Sequence, residues 1–282
     1  MIHAWTRYVV AALAVLASAA ASAAARADQP RRIVSMNLCT DQMALLLVGP
    51  ERIASISFLG ADPAESPLAH LAVGIPINHG LAEEVIAAKP DLVLAGKYTT
   101  RFAKAMLTRL GYKVVEIESP ETIPGIHATL TSLAAVLGAE ARAGELLAQM
   151  DRRLATVAAP AGRFGSAIVF DANGFTVGRP GLADEVMTLL GLVNKAPELG
   201  IGAYGQVPLE TMLAARPDRI INLVYRPGAP SIANAIVNHP ALRHGSRSGK
   251  TLSVPGRLLT CGTPMIAEAA ERLAASLADP AP

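Results

Sequence analysis

The stretch LAEEVIAAKPDLVL, residues 81–94, reads as a short helix, a Lys-Pro-Asp turn and a strand. Its apolar residues recur at helical spacing, proline cannot continue a helix, and the apolar run after the aspartate is typical of a buried strand. The stretch PLETMLAARPDRII, residues 208–221, repeats the unit, and Pro217 lies 127 residues after Pro90. The repeat predicts two halves of similar structure rather than a solenoid, which would need several copies.

Strands alternate with helices on both sides of a long helical stretch. Residues 31–36 and the run after each Lys/Arg-Pro-Asp turn are typical of parallel strands covered by helices. In the first half we expect Thr40 or Asp41 to cap a helix, and we expect a loop over residues 58–67. No strand is predicted between residues 122 and 159, where AEARAGELLAQMDRRLATVAA has the apolar spacing of one long amphipathic helix.

The predicted fold class is therefore α/β, with two Rossmann-like lobes joined by a single long helix and a ligand cleft between the lobes. We expect an N-terminal lobe over residues 28–138, the linking helix over residues 139–160 and a C-terminal lobe over residues 161–282.

The first 27 residues have the features of an export signal. Arg7 precedes an apolar run that ends in small residues, and Ala25-Arg26-Ala27 fits an A-x-A cleavage site. The alternative is a membrane anchor, but the run is rich in alanine and weakly apolar. We expect cleavage near Ala27, a periplasmic product and no stable membrane anchor.

Composition and motifs argue against several functional classes. A hydrophobic content of 51% with 17% charged residues indicates a globular protein, and a net charge of +2 gives no signal for nucleic-acid binding. HGSRSGKT, residues 244–251, has His244 where a phosphate-binding loop needs glycine. No nucleophile–base or metal-ligand spacing is found, so we predict no enzyme, no bound metal and no cofactor.

Aromatic and polar residues cluster directly after predicted strands, where parallel α/β sheets bind ligands. Five of the ten Phe and Tyr residues occupy such positions. The clusters are Phe58; Lys97, Tyr98 and Arg101; Asn173 and Phe175; Tyr204 and Gln206; and Tyr225 and Arg226. The alternative is that single aromatic residues cover the surfaces of the lobes. We predict ligand contacts for Phe58, Tyr98, Arg101, Phe175, Tyr204 and Tyr225.

The two cysteines lie far apart in the sequence, and each follows a predicted strand. Cys39 lies in the N-terminal half and Cys261 in the C-terminal half, so both are expected near the cleft. Three alternatives remain open: a disulfide between the lobes, a contact with the ligand, or two reduced and buried thiols.

The chain resembles the periplasmic binding proteins of metal-chelate ABC importers, which capture cobalamin, ferric siderophores or haem. The resemblance covers the chain after residue 27 and rests on both repeated units, on NGFTVG and on GTPMIAEAAERLA near the end. It implies a two-lobed fold with a rigid hinge, and a protein that delivers a chelate to a dimeric inner-membrane permease. A ferric siderophore and a cobalamin-like corrinoid are the expected ligands.

Carried over by position, the aromatic residues of the family's cleft fall on Phe175 and Tyr204, with Phe58 as a looser match. The chain has no Trp after Trp5, unlike the usual cobalamin binders, and has His79 where haem binders commonly place a tyrosine. The alternatives are a haem-binding protein of the same class, an exported two-lobed enzyme, or a sensor module that binds a chelate without a transporter.

Glu83 and Glu210 occupy matched places in the two repeated units. Each is expected in the first turn of its helix, where the helix dipole favours a carboxylate. Two such carboxylates, one on each lobe, suit a partner with two-fold symmetry. In the resembling family, glutamates at these positions dock onto arginine clusters of the permease dimer, and the resemblance implies the same role here.

Overall fold

The structure is a computed structural model that describes residues 29–97, 99–226, 233–247 and 251–278. The predicted signal peptide, residues 1–27, lies outside the described residues. Among the residues that are described, no helix is long and apolar enough to cross a membrane.

The N-terminal lobe is built on a parallel sheet of five strands in the order β3-β2-β1-β4-β5. The strands are β1 (Ile33–Ser35), β2 (Ile53–Ser57), β3 (Ile77–Asn78), β4 (Leu92–Gly96) and β5 (Val114–Ile117). The helices are α1 (Leu38–Leu47), α2 (Phe58–Ala61), α3 (Ala82–Ala87) and α4 (Arg101–Arg109). Strand β4 is buried along its whole length, as expected for a strand covered by helices on both faces.

Two helices follow the first sheet: α5 (Ile123–Leu137) and α6 (Glu140–Val157). The hydroxyl of Thr122 accepts a hydrogen bond from the backbone N–H of Gly125 and caps α5, which ends at Gly138 with a φ of 63°. The buried face of α6 includes Leu146, Leu147 and Met150. This face joins the cores of both sheets into one continuous apolar core.

The C-terminal lobe contains a parallel sheet of four strands in the order β11-β10-β6-β8 and a separate antiparallel pair, β7-β9. The strands are β6 (Ser166–Val169), β7 (Phe175–Val177), β8 (Val193–Asn194), β9 (Tyr204–Gln206), β10 (Arg219–Val224) and β11 (Thr251–Pro255). The helices are α7 (Leu182–Leu189), α8 (Leu209–Ala215) and α9 (Ile266–Ala278). Two parallel-sheet lobes with a long helix between them in the chain confirm the predicted α/β class.

The repeated unit forms the same structure in both lobes. Lys89 and Arg216 end helices α3 and α8 with positive φ angles of 47° and 45°. Proline follows each of them and prevents the helix from continuing. The aspartate after each proline bonds the start of the adjacent strand: Asp91 accepts from the backbone N–H of Arg31 (2.7 Å) and Asp218 from that of Ser166 (2.7 Å). The unit therefore joins a helix end to the first strand of each sheet.

Two local expectations for the N-terminal lobe were wrong. Helix α1 is capped by Asn37, whose side-chain oxygen accepts from the backbone N–H of Cys39 at 3.0 Å. Thr40 pairs with Ser35 instead, and Asp41 is buried inside the lobe. The segment predicted as a loop begins with helix α2, because a turn of helix follows directly from strand β2. The antiparallel pair β7-β9 was not predicted, since strands of three residues carry too few positions to show a period of two.

Candidate functional site: a cavity between the lobes

A cavity of about 600 Å³ lies between the two lobes. This volume is within the range of small-molecule sites in proteins. Its N-terminal wall comes from the segments that follow β4 and β5 and from the start of α5. Its C-terminal wall comes from the antiparallel pair β7-β9, the end of β10 and the segment before α9. The lining includes Lys97, Glu118, Glu121, Phe175, Tyr204 and Tyr225.

Phe175 and Tyr204 form an aromatic surface on the C-terminal wall. Their ring centroids are 6.2 Å apart and the ring planes differ by 18°, so the rings are stacked. The antiparallel pairing holds them in place, because Phe175 lies opposite Gln206 and Tyr204 opposite Val177. Tyr204 is 51% exposed, which leaves a ring face available to a ligand.

A glycine allows strands β7 and β9 to approach each other closely. Gly174 has a φ of 73°, and a Cβ at this position would lie 2.4 Å from the carbonyl oxygen of Val207. The backbone N–H of Val207 donates to the Gly174 carbonyl at 2.9 Å. Any other residue would push β7 and β9 apart and separate the two rings.

Tyr225 completes the aromatic lining at the end of β10. Its ring lies against the backbone of Gly256, where a Cβ would come within 2.6 Å of the ring. Burial raises the pKa of the Tyr225 hydroxyl above 10.0, and the nearby carboxyl of Asp171 raises it further. The phenol is therefore neutral at physiological pH and can offer a hydrogen bond.

Asp171 lies behind this wall and is buried. Its carboxylate accepts hydrogen bonds from the backbone N–H of Ala172 (2.8 Å) and from the amide of Asn222 (3.2 Å). Burial raises the pKa of the Asp171 carboxyl above its usual value of 3.8. The two hydrogen bonds favour the ionised form and partly offset this effect.

The N-terminal wall supplies the charged groups. Lys97 follows β4, while Glu118 and Glu121 lie between β5 and α5. A second cavity of about 330 Å³ adjoins the first and shares Lys97, Glu118 and Thr260 with it. The arrangement can hold a molecule with an extended flat or ring-containing surface on one side and hydrogen-bonding groups on the other.

Cys39 and Cys261 form a disulfide that ties the two lobes together beside the cavity. Their Cα atoms are 5.2 Å apart and their sequence separation is 222 residues. Cys39 lines the second cavity, and Cys261 directly follows Thr260, which lines both. Of the three alternatives for the cysteines, the structure contains the bond between the lobes.

Charged side chains make a further contact between the lobes next to Tyr225. The guanidinium of Arg226 binds the carboxylates of Asp62 (2.9 Å) and Glu65 (2.6 Å). Arg257 donates to the backbone carbonyl of Pro63 at 3.3 Å. Both arginines belong to the C-terminal lobe, and all three acceptor groups belong to the N-terminal lobe. Together with the disulfide, these contacts hold the described parts of the two lobes at a defined separation.

The structure brings three of the six predicted ligand-binding residues into the cavity wall: Phe175, Tyr204 and Tyr225. Phe58 lies elsewhere and stacks on His79, with ring centroids 5.5 Å apart. Arg101 is exposed at the start of α4 and is not part of the lining. Tyr98 lies outside the described residues. His79 also binds the Glu84 carboxylate through its backbone N–H (2.6 Å) and its ring (2.9 Å).

Glu118 and Glu121 were missed by the sequence analysis, although a signal was present. In the segment IESPE, Glu118 directly follows the last residue of strand β5 and Glu121 follows Pro120. The rule that ligands bind at the carboxyl ends of strands applied to this position as well. The segment contains no aromatic residue, so the clustering of aromatic residues at strand ends gave no signal there.

Glu83 and Glu210 lie away from the cavity, exposed in the first turns of α3 and α8. Within the part of the chain that the structure describes, neither carboxylate has a hydrogen-bond or ion-pair partner. The neighbouring Glu84, in contrast, is held by His79. The repeat therefore presents one accessible carboxylate on each lobe.

Metal-binding groups are also relevant to the site. Over the described ranges, no group of three or more His, Cys, Asp or Glu side chains is placed to hold a metal ion. The cavity lining among these residues contains no histidine, so no histidine stands there as a general base.

Comparisons with known proteins agree with this geometry. The sequence model of a family described as periplasmic binding protein matches residues 33–245. No curated protein sequence matches the chain. Solved structures do match: the periplasmic haem-binding protein HutB of Vibrio cholerae has a TM-score of 0.71 at 18% identity, over 88% of this chain and 99% of that chain.

Two further solved structures have the same fold. The vitamin B12 binding protein BtuF of Vibrio cholerae has a TM-score of 0.65 at 20% identity, over 88% of this chain and 96% of that chain. A protein of an ABC-type Fe3+-hydroxamate transport system from Saccharomonospora viridis has a TM-score of 0.69 at 20% identity, over 89% of this chain and 94% of that chain. At these identities the likeness concerns the fold.

Proposed function

Because the chain belongs to the periplasmic binding protein family, we propose that it is the substrate-binding protein of an ABC importer and that its cavity holds a metal chelate. The family match confirms the resemblance found in the sequence. Members of the family are substrate-binding proteins and not enzymes, and we propose that this chain likewise has no catalytic activity. The chelate is then cargo and not a cofactor.

Family membership implies a periplasmic location. We propose that residues 1–27 are a signal peptide and that export removes them near Ala27. The intact mass of the secreted protein checks this proposal, because the mature chain should begin at Asp28. A mass that retains Met1, or one that includes a lipid, would contradict it.

The observation that carries the proposed function is the stacked pair Phe175 and Tyr204 in a cavity between lobes. Aromatic faces suit macrocycles and the ring systems of chelators. The fold matches proteins whose names describe binding of haem, vitamin B12 or a ferric hydroxamate. A ferric siderophore or a cobalamin-like corrinoid is the proposed ligand, and haem is the alternative within the same class.

The cavity test uses Phe175→Ala together with Tyr204→Ala. Each stacked contact contributes about 0.5–1.5 kcal/mol beyond burial of area, so the double variant should bind its chelate about tenfold more weakly. Isothermal titration calorimetry with a ferric trishydroxamate, cyanocobalamin and haemin measures the affinities and identifies the class of ligand.

Phe102→Ala is the matched control, since Phe102 is 78% exposed on α4 and outside the cavity lining. Far-UV circular dichroism checks that all variants keep their fold. An affinity that is the same in the wild type and the double variant would refute the placement of the ligand on this pair.

We also propose that Glu83 and Glu210 dock the protein onto the two subunits of a permease dimer. Support comes from their matched places in the repeat, their exposure and their distance from the cavity lining. Glu83→Arg with Glu210→Arg should leave chelate affinity nearly unchanged. Uptake by cells should be abolished, because contacts between a carboxylate and arginine become like-charge repulsions.

The matched control for docking is Glu140→Arg with Glu145→Arg, which changes the net charge equally at exposed positions on α6. Each single reversal at Glu83 or Glu210 should be partly defective. Uptake at the wild-type rate by the double reversal would show that these glutamates are only charges at helix ends. Uptake that is the same in cells with and without this protein would instead favour a sensor module without a transporter.

A further inference from the structure

The charged groups that line the cavity carry a net negative charge. Lys97, Glu118 and Glu121 are the charged side chains of the lining within the described ranges. The lining therefore contains two carboxylates and one ammonium group. No hydrogen bond or ion pair within 4.0 Å joins any of the three to another described residue, so neither carboxylate is neutralised by the protein where the structure is described.

Two arginines that directly follow or precede lining residues in the sequence are paired with carboxylates. Arg226, next to Tyr225, is held between Asp62 and Glu65. Arg179, next to Pro180 of the lining, binds the carboxylate of Asp184 at 2.9 Å. The positive charge of each guanidinium is already balanced or exceeded by its own carboxylate partners. These two arginines therefore do not offset the carboxylates of the lining.

The C-terminal wall adds to the negative potential. Asp171 is buried behind it, and its carboxyl raises the pKa of the Tyr225 hydroxyl. A third carboxyl therefore lies close to the cavity wall. The aromatic pair on the same wall carries no net charge, and its faces can stack on neutral rings and attract cationic groups.

We propose that the cavity takes a metal chelate of zero or positive net charge, and that Glu118 and Glu121 exclude polyanionic chelates. This inference rests on the proposed function and narrows its ligand. A carboxylate on the chelate would be brought out of water next to two uncompensated carboxylates, which is unfavourable. Amide N–H or ammonium groups at the edge of the chelate would instead donate hydrogen bonds to Glu118 and Glu121.

The test compares chelates that share a metal centre and differ in peripheral charge. One series is ferrioxamine B with its terminal amine free, acetylated or succinylated, which makes the same iron centre cationic, neutral or anionic. The second is cyanocobalamin and its monocarboxylic acid, in which one peripheral amide is hydrolysed. The third is haemin dimethyl ester and haemin. Calorimetry at low salt measures each affinity for the full mature chain.

In the series that binds, the anionic member should bind about three- to tenfold more weakly than the neutral member. Glu118→Gln with Glu121→Gln should remove most of that difference. Lys97→Gln should enlarge it, because the lining then keeps only its carboxylates. Added salt should reduce the difference in the wild type, since screening weakens exposed charges.

Glu140→Gln with Glu145→Gln is the matched control, with the same change in net charge outside the cavity lining. Two results would refute the charge selection while leaving the proposed function intact. One is that the anionic member binds as tightly as the neutral member or more tightly. The other is that the Gln variants at positions 118 and 121 do not change the difference in affinity between the two members. Failure of all three series to bind would refute the proposed function, and the inference with it.

Discussion

At the scale of single residues, Asp41 is the most unusual titratable group in the described structure. It is fully buried in the N-terminal lobe, and its carboxylate accepts from the backbone N–H (3.1 Å) and hydroxyl (2.5 Å) of Ser57. Burial raises the pKa of Asp41 from 3.8 to about 7, although the hydrogen bonds to serine favour the ionised form. Gly60 leaves room for it, since a Cβ there would lie 2.6 Å from the carboxylate.

The raised pKa of Asp41 predicts a pH-dependent stability. Between pH 3.8 and about pH 7 the folded protein holds a proton that the unfolded chain has released. The contribution of this group to the free energy of unfolding therefore falls as pH rises through that window, by about 4 kcal/mol in total. The stabilising contribution of Asp41 is present in full below pH 3.8 and is absent above pH 7.

Urea unfolding of the wild type and of Asp41→Asn at several pH values checks this prediction, because the variant cannot titrate. The difference in free energy of unfolding, wild type minus variant, should decrease as pH rises from about 4 to about 7. A difference that stays constant across this range would show that Asp41 is ionised in the folded protein.

At the scale of elements, the aspartates of the two repeated units differ in their surroundings. Asp218 accepts from both the backbone N–H and the hydroxyl of the half-buried Ser166, each at 2.7 Å. Both hydrogen bonds lower the pKa of the Asp218 carboxyl, and the one from the Ser166 backbone has the larger effect. Asp91 accepts from two backbone N–H groups, of Arg31 and Arg32, that are exposed to water.

We therefore expect Asp218→Ala to destabilise the protein more than Asp91→Ala does. A water molecule can replace the carboxylate at the exposed N–H groups of the first unit, but less easily at Ser166. The expected losses are about 1–2 kcal/mol for Asp218→Ala and about 0.5–1 kcal/mol for Asp91→Ala. Midpoints of urea unfolding near pH 7 measure both. Equal losses would mean that solvent exposure does not distinguish the two units.

At the scale of the whole molecule, the lobes are joined by several independent links. Helix α6 connects them along the chain, the disulfide Cys39–Cys261 bonds them covalently, and Arg226 binds across to Asp62 and Glu65. The apolar core also continues from one lobe to the other. We therefore predict that the cavity between the lobes changes little in width, as the rigid hinge implied by the family resemblance would require.

Removal of the disulfide should lower stability substantially. The bond closes a loop with a sequence separation of 222 residues, and the chain-entropy account gives about 5 kcal/mol for a loop of this length. Cys39→Ser with Cys261→Ser should shift the urea unfolding midpoint accordingly. A midpoint like that of the wild type would contradict a stabilising bond.

Thiol titration tests the same bond without a variant. The denatured wild-type protein should contain no reactive thiol until a reductant is added, and two thiols afterwards. Reactive thiols before reduction would show that the bond is absent, whether or not the double variant folds.

The sequence predicted the candidate site in part, and Phe58 shows where prediction from the sequence failed. Phe58 does follow a strand, as expected, but β2 lies one position further from β4 and β5 than β1 does. Its ring therefore meets His79 after β3 and not the cavity beside Lys97. Sequence alone predicts that a residue lies at a strand end, but not which strand ends border the cavity.

The sequence by itself determined the α/β class, the two halves and the turn in each repeated unit. These depend on local chemistry: the spacing of apolar residues and a proline that stops a helix. Only the tertiary structure decided the strand order, the pairing of Cys39 with Cys261, the burial of Asp41 and the placement of Glu118 in the cavity wall. Each of these depends on contacts between segments that are distant in the chain, and the local pattern of residues carries no record of which segments meet.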